Sequence, residues 1–297
     1  MSASRPTILL TGAGGQLGRE LAAALASCGT LLACDRRALD LTDARAIARV
    51  VRDASPQFIV NAGAYTAVDR AETERGLAFA INGDAPGVLA AEALRAGAVL
   101  IHYSTDYVFD GTRDTPYDED APTNPVNAYG ASKLAGEQAI ARSGAAALTL
   151  RTSWVYGRHG QNFLLTMQRL ATQRDEIRVV ADQHGAPNWT RALAAATVEL
   201  LRRGRADLAD RAGLYHLSAQ GAATWYEFAR AILADTSVRV TPIATTDYPT
   251  PARRPAYGVL DSSRFARTFG LALPDWRSML GECLRAPAEP PAGFPVN

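Results

Sequence analysis

At 297 residues, 47% of them apolar and 21% charged, the chain is long enough for a large buried core and has the composition of an ordinary globular protein. With 31 basic against 30 acidic residues its formal charge is +1, which gives no electrostatic reason to bind nucleic acid or an anionic membrane. Cys28, Cys34 and Cys283 show no paired spacing and the four histidines are scattered, which counts against a disulfide framework or a zinc site. Residues 1–5 lack the basic and apolar stretches of a signal peptide, and the apolar run 8–10 is too short to span a bilayer, so a cytoplasmic protein is expected.

Strand and helix signals alternate through the first half. Thr7-Ile8-Leu9-Leu10 reads as a buried parallel strand ended by glycines, and residues 16–27 carry apolar positions at helical spacing before Gly29. Residues 31–34 are predicted as a second strand ending at Asp35, residues 43–52 as a helix and residues 57–61 as a third strand. A helix over about 76–95, a strand over 98–102, a helix over 129–143 and a strand over 147–151 follow. Repeated β-α-β units of this kind mean a doubly wound parallel sheet of the Rossmann type, with ligands beyond the carboxyl ends of its strands.

After residue 151 the pattern loosens. A strand over 177–180, a helix over 192–203, a strand over 213–217 and a helix over 226–234 precede a proline-rich passage at 248–255. The expected organisation is a dinucleotide-binding domain over 1–155, with segments from roughly 188–218 returning to it. A smaller C-terminal α/β lobe over 156–297 would bind the substrate. The four prolines of residues 286–297 predict a loosely ordered tail.

Gly12, Gly15 and Gly18 lie between the first strand and the first helix at GxxGxxG spacing. Such glycines permit a tight turn, let backbone approach a pyrophosphate and let helix pack on strand, while the helix N-terminus offers N–H groups to phosphate. Asp35 stands where an acid would bond the ribose hydroxyls of NADH, yet Arg36 and Arg37 follow and would suit the 2′-phosphate of NADPH, so the choice between the two stays open. Asp40 and Leu41 are candidates for the adenine pocket, with a loop cap as the equal alternative for Asp40.

Tyr129 and Lys133, four apart on a predicted helix, share one face. An ammonium beside a phenol would lower its pKa and make it a usable proton donor to a carbonyl oxygen. Ser104-Thr105-Asp106, expected just after the strand at 98–102, would place a hydroxyl on the same oxygen.

Taken in order, the glycine turn, Asn61-Ala62-Gly63-Ala64, Ser104-Thr105-Asp106-Tyr107-Val108-Phe109, Tyr129 with Lys133, and Arg151-Thr152-Ser153-Trp154-Val155-Tyr156-Gly157 resemble the extended short-chain dehydrogenase/reductases. Within them, Tyr65-Thr66-Ala67-Val68-Asp69, Asp182-Gln183-His184-Gly185-Ala186-Pro187 and residues 248–255 resemble the dTDP-4-dehydrorhamnose reductase family. The resemblance implies NAD(P)H-dependent reduction of the C4 ketone of dTDP-4-dehydro-β-L-rhamnose, with Thr105, Tyr129 and Lys133 as the catalytic set. It implies cofactor contacts at Gly12, Gly15, Gln16, Leu17, Gly18, Asp35, Asp40, Leu41, Ala64, Tyr65, Thr66, Tyr103, Tyr129 and Lys133. Thr105, Asp106 and Trp154 would hold the sugar, Val68 and Tyr107 would assist, and Arg253 and Arg254 are candidates for its diphosphate or, equally, surface charges. The protein would be a monomer or a homodimer. Some family members bridge dimers with Mg²⁺ through glutamates. Glu20 matches one such position, but Arg191 replaces a second acid, which counts against a bridging Mg²⁺ without closing the question, and Glu20 is read as a solvated helix residue. Asn188 stands where the family usually has Thr, an exchange expected to unsettle local contacts. The alternatives are another nucleotide-sugar epimerase, dehydratase or reductase of the superfamily, which Asp106 keeps open, and a non-catalytic NAD(P)-binding regulatory subunit.

Overall fold

The computed structural model describes residues 5–287. Its first half runs β1 (Thr7–Thr11), α1 (Gln16–Leu25), β2 (Thr30–Cys34), α2 (Ala44–Ala54), β3 (Phe58–Asn61), α3 (Arg75–Phe79), α4 (Ala85–Ala96), β4 (Val99–Thr105), α5 (Ala128–Ser143) and β5 (Ala147–Thr152). The remainder comprises β6 (Val155–Tyr156), α6 (Phe163–Ala171), β7 (Glu176–Val180), β8 (His184–Gly185), β9 (Asn188–Trp189), α7 (Thr190–Arg202), α8 (Arg205–Asp210), β10 (Gly213–His216), β11 (Ala223–Thr224), α9 (Trp225–Ile232), β12 (Arg239–Ile243), α10 (Ser263–Phe269) and α11 (Trp276–Arg285). The expectation for the end of the chain falls almost wholly outside the described residues.

Six strands form the main sheet in the order β2-β1-β3-β4-β5-β10, and every pairing is parallel. The connection from β1 runs to β2 on one side and that from β3 runs to β4 on the other, so the crevice of the doubly wound fold opens at the carboxyl ends of β1 and β3. One face is packed by α1, α7, α8 and α10 through a core that includes Ile8, Leu10, Leu21, Ile101, Leu193 and Phe265. The other is covered by α2, α4 and α5 over Leu9, Ile47, Ile59, Leu89 and Leu100. A separate core built from Tyr156, Trp189, Phe228, Trp276 and neighbours fills the C-terminal part.

Local chemistry ends the helices as their sequences dictate. Asp43 accepts the N–H groups of Arg45 and Ala46 at the start of α2, and Asn127 accepts that of Gly130 at the start of α5. Gly97 and Gly144 adopt left-handed backbone after α4 and α5, which a side chain would resist.

Two expectations change. The helix read over 76–95 is interrupted between α3 and α4 by a π-helical turn at Ala80–Asp84, a feature that apolar periodicity does not encode. The strand read as 98–102 extends to Thr105, because pairing continues from Ser104 to Arg151 and from Thr105 to Thr152. Ser104 and Thr105 are therefore the last residues of β4 rather than part of the following loop.

Candidate active site

The glycine turn sits at the point where the strand connections diverge. Gly12 has φ +73°, and a Cβ there would lie 2.4 Å from the backbone nitrogen of Gly63, at the end of β3. A Cβ on Gly18 would lie 2.0 Å from Gly12 O, so α1 can approach the turn only with glycine at that position. The N-terminus of α1 at Gln16 has no side-chain cap, which leaves its first N–H groups, those of Gln16 and Leu17 among them, for a ligand. Close backbone, bare donors and a helix dipole are what a dinucleotide pyrophosphate requires, so these residues fit the cofactor.

The flanking candidates divide. Asp35 follows β2 and uses Oδ1 to accept the N–H groups of Arg37 and Ala38, both at 2.9 Å, while Arg36 and Arg37 are exposed. Asp40 accepts both the N–H and the hydroxyl of Thr42 at 2.9 Å, the loop-capping alternative. Leu41 packs on Gly63, where a Cβ would come within 2.5 Å of its Cδ1, so it borders the cradle. Beyond β3, Ala64 and Thr66 are exposed, and the Tyr65 backbone is gripped from the π-helical turn. Asn82 accepts Tyr65 N–H at 2.8 Å and donates to Tyr65 O at 2.9 Å and to Ser132 Oγ at 3.0 Å. The bulge thereby ties the loop beside the cradle to the helix that carries Tyr129. Val68 is half-buried in the turn after that loop.

At the carboxyl end of β4, Thr105 is buried, donates from Oγ1 to Asp106 Oδ1 at 3.0 Å and accepts Tyr107 N–H at 3.2 Å. Tyr129, in the first turn of α5, is half-buried, and its ring meets that of Tyr107 edge to face at 5.7 Å. Loss of water around its hydroxyl pushes the phenol up to about 12; a hydrogen bond with the Thr105 side chain opposes this, and the Asp106 charge adds to it. Burial likewise raises Asp106 to about 7, against the Thr105 hydrogen bond.

Lys133 is only 2% exposed, and burial lowers its amine to about 8, opposed by the charge of Glu137. Its Nζ donates to Tyr103 O at 2.6 Å and lies 3.3 Å from His102 Nε2. The lowering of the Tyr129 pKa expected from Lys133 is thus not realised: the amine is directed at β4, and desolvation dominates the phenol. Near neutrality Tyr129 keeps its proton and can give it away.

Several candidates are placed differently from expectation. The Tyr103 ring points to the opposite face of the sheet, where its hydroxyl meets Thr197 Oγ1 on α7, so only its carbonyl reaches the site. Ser104 donates to Glu137 Oε1 at 2.5 Å, within a buried network in which Arg151 grips Glu137 at 2.6 and 2.9 Å. Arg254 pairs with Asp69 at 2.9 Å and donates to Ala252 O, whereas the Arg253 side chain is exposed. Trp154 has φ +42° and stacks on Trp225, their centroids 3.5 Å apart, with the Gly185 backbone pressed against its indole. One face of Trp154 is therefore taken by another tryptophan. Glu20 is buried, not solvated, and pairs with Arg191 at 3.1 Å. A guanidinium therefore supplies a positive charge beside this carboxylate. Asn188 unsettles nothing: its amide donates to Ser153 O and Ala186 O and accepts Ala219 N–H at 2.7 Å.

Composition and spacing did not single out His102, Asn82, Glu137 or Trp225. For His102 and Glu137 the signal was polarity in the wrong place: an imidazole inside a strand that should be wholly apolar, and a carboxylate on the inner face of α5.

A family profile described as RmlD substrate binding domain matches residues 6–288. The chain is similar to dTDP-4-dehydrorhamnose reductase of Burkholderia thailandensis, 49% identical over 94% of this chain and 98% of that one. It is 44% identical to the Escherichia coli K12 protein of the same name, over 91% and 94% of the two chains. Among solved structures, the Bacillus anthracis dTDP-4-dehydrorhamnose reductase in complex with NADP superposes with a TM-score of 0.89 at 37% identity, covering 94% of this chain and 99% of that one. The chain belongs to the dTDP-4-dehydrorhamnose reductase family of extended short-chain dehydrogenase/reductases.

Proposed function

We propose that the protein reduces the C4 ketone of dTDP-4-dehydro-β-L-rhamnose to dTDP-β-L-rhamnose, a precursor of rhamnose-containing surface polysaccharide. The reading is carried by one convergence: the Thr105 hydroxyl, the proton-bearing Tyr129 phenol and the buried Lys133 amine gather at the end of β4, beside a glycine cradle with bare N–H donors. NADH or NADPH bound in that cradle supplies the hydride. Gly12, Gly15 and Gly18 admit its pyrophosphate, the N–H groups of Gln16 and Leu17 face the phosphates, and Asp35 meets the ribose. Leu41, Ala64, Tyr65 and Thr66 line the rest of its path. Tyr129 gives its proton to the ketone oxygen, Thr105 orients that oxygen, and Lys133 holds the nicotinamide ribose and the local charge.

Residues 1–155, with 188–218 contributing α7 and β10, form the cofactor-binding unit in this reading; 156–297 form most of the sugar-binding lobe. Asp106, Tyr107, Val68 and Trp154 are the sugar contacts. Arg253 is the freer of the two arginines to meet the diphosphate, since Arg254 is engaged by Asp69. No helix among the described residues is long and apolar enough to cross a membrane, and we place the reaction in the cytoplasm. The test is stoichiometric loss of reduced nicotinamide absorbance with the dTDP-4-keto sugar, using each cofactor in turn. Tyr129→Phe should lower kcat by about 10²–10⁴-fold while cofactor still binds. Near-normal turnover by that variant would remove Tyr129 as the proton donor.

A further inference from the structure

A strand covered on both faces should be apolar throughout, yet β4 carries an imidazole in its interior. His102 is 0% exposed; its Nδ1 lies 2.9 Å from Asn61 Nδ2 and its Nε2 lies 3.3 Å from Lys133 Nζ. Its tautomer follows from its partners. The backbone N–H of Gly63 can only donate, and it meets Asn61 Oδ1 at 3.2 Å; Thr11 Oγ1 donates to the same oxygen at 2.6 Å. With its oxygen fixed in this way, Asn61 turns its NH₂ group toward His102, and Nδ1 must accept. Burial keeps the ring neutral, so its single N–H is on Nε2, aimed at Lys133.

Lys133 already donates to Tyr103 O. As a free amine it offers a lone pair to Nε2–H; as an ammonium it has only donors to set against one. The other titratable or charged groups around it are accounted for. On α5, Tyr129 keeps its proton and Glu137 is gripped by Arg151 of β5; on β4, the Tyr103 phenol lies on the far face; Asn61 of β3 is uncharged.

We propose that His102 is a positioning residue for Lys133: held in its Nε2–H form by Asn61, it orients the amine and opposes its protonation. Asn61 also binds Thr11 and Gly63 at the glycine turn, so the amine is tied to the cofactor cradle through three side chains and one backbone group. The proposal rests on reading Lys133 as part of the catalytic set.

Two substitutions separate orientation from bulk. His102→Asn keeps an oxygen able to accept from Asn61 but removes the group facing Lys133, whereas His102→Gln restores an amide N–H near the place of Nε2. In the pH profile of kcat/KM, the limb near about pH 8 should move upward by about half a unit or more, a roughly threefold change in proton affinity, in His102→Asn. It should return toward the wild-type position in His102→Gln. An unmoved limb in His102→Asn, or an equal shift in both variants, would overturn the proposal. ¹⁵N NMR of histidine-labelled wild-type protein reads the tautomer even if a variant fails to fold: a protonated Nε2 and bare Nδ1 are expected, and the reverse would overturn it. Lys133→Ala distinguishes the two levels of failure. Unchanged turnover in that variant would remove Lys133 from the catalytic set and leave the tautomer result standing.

Discussion

Replacing Lys133 by methionine should destroy turnover and yet make the cofactor-free protein at least as stable near neutral pH. The buried amine falls from an ordinary value of 10.5 to about 8, chiefly by desolvation. At about pH 7 both folded and unfolded chains hold the proton, and a displacement of roughly 2.5 units costs the folded state about 3 kcal/mol. Methionine of similar length removes that cost and forfeits the hydrogen bond to Tyr103 O, worth about 1.5–3 kcal/mol for a charged donor. The net change is therefore about 0–2 kcal/mol in favour of the variant. The pH dependence is the sharper reading. Between about pH 8 and pH 10.5 the unfolded lysine still holds a proton that the folded one has released, so the stability of the wild-type protein rises with pH through that window. Below it the penalty is constant. Urea denaturation of both proteins at about pH 7 and about pH 9.5 should show the wild type gaining roughly 2 kcal/mol on the variant. A gap that stays constant between the two pH values would refute a desolvated Lys133.

Gly18→Ala should reduce NADPH affinity at least about tenfold and cost about 1–3 kcal/mol, because its Cβ would lie 2.0 Å from Gly12 O and backbone must move; a fluorescence titration of bound nicotinamide reads the first effect. Glu137→Gln leaves the Arg151 guanidinium, itself 2% exposed, without a counter-charge. It should cost about 3–5 kcal/mol in chemical denaturation, because the amide NH₂ that replaces one carboxylate oxygen cannot accept from Arg151. Trp225→Ala removes the ring on which Trp154 stacks, an interaction worth about 0.5–1.5 kcal/mol beyond burial. The KM for the nucleotide sugar should rise while NADPH affinity stays the same, as initial-rate kinetics with each substrate would show.

How far the sequence reaches depends on whether the information is local. The glycine spacing and the four-residue step from Tyr129 to Lys133 are written within short stretches, and the structure reproduces them. Strand alternation was equally readable, but a buried parallel strand is apolar on both sides, so nothing local marks its end. Ser104 and Thr105 were accordingly read one element too late. The placing of the Tyr103 ring has the same root. Once β4 continues past His102, successive side chains face opposite ways, and Tyr103 is sent to α7 while His102 and Ser104 face α5.

By itself the sequence determined the doubly wound fold, the glycine-rich turn after β1 and the placing of Tyr129 and Lys133 on one helix, because each is written in residues near one another along the chain. Tertiary structure alone decided the electrostatics: which groups lose water, which way the Lys133 amine points, and that Glu20 faces a guanidinium. Those outcomes depend on partners such as Asn61, His102 and Arg191, between 31 and 171 residues distant from the groups they act on. Desolvation and charge pairing are set by what packs nearby in space, and no spacing along the chain records that.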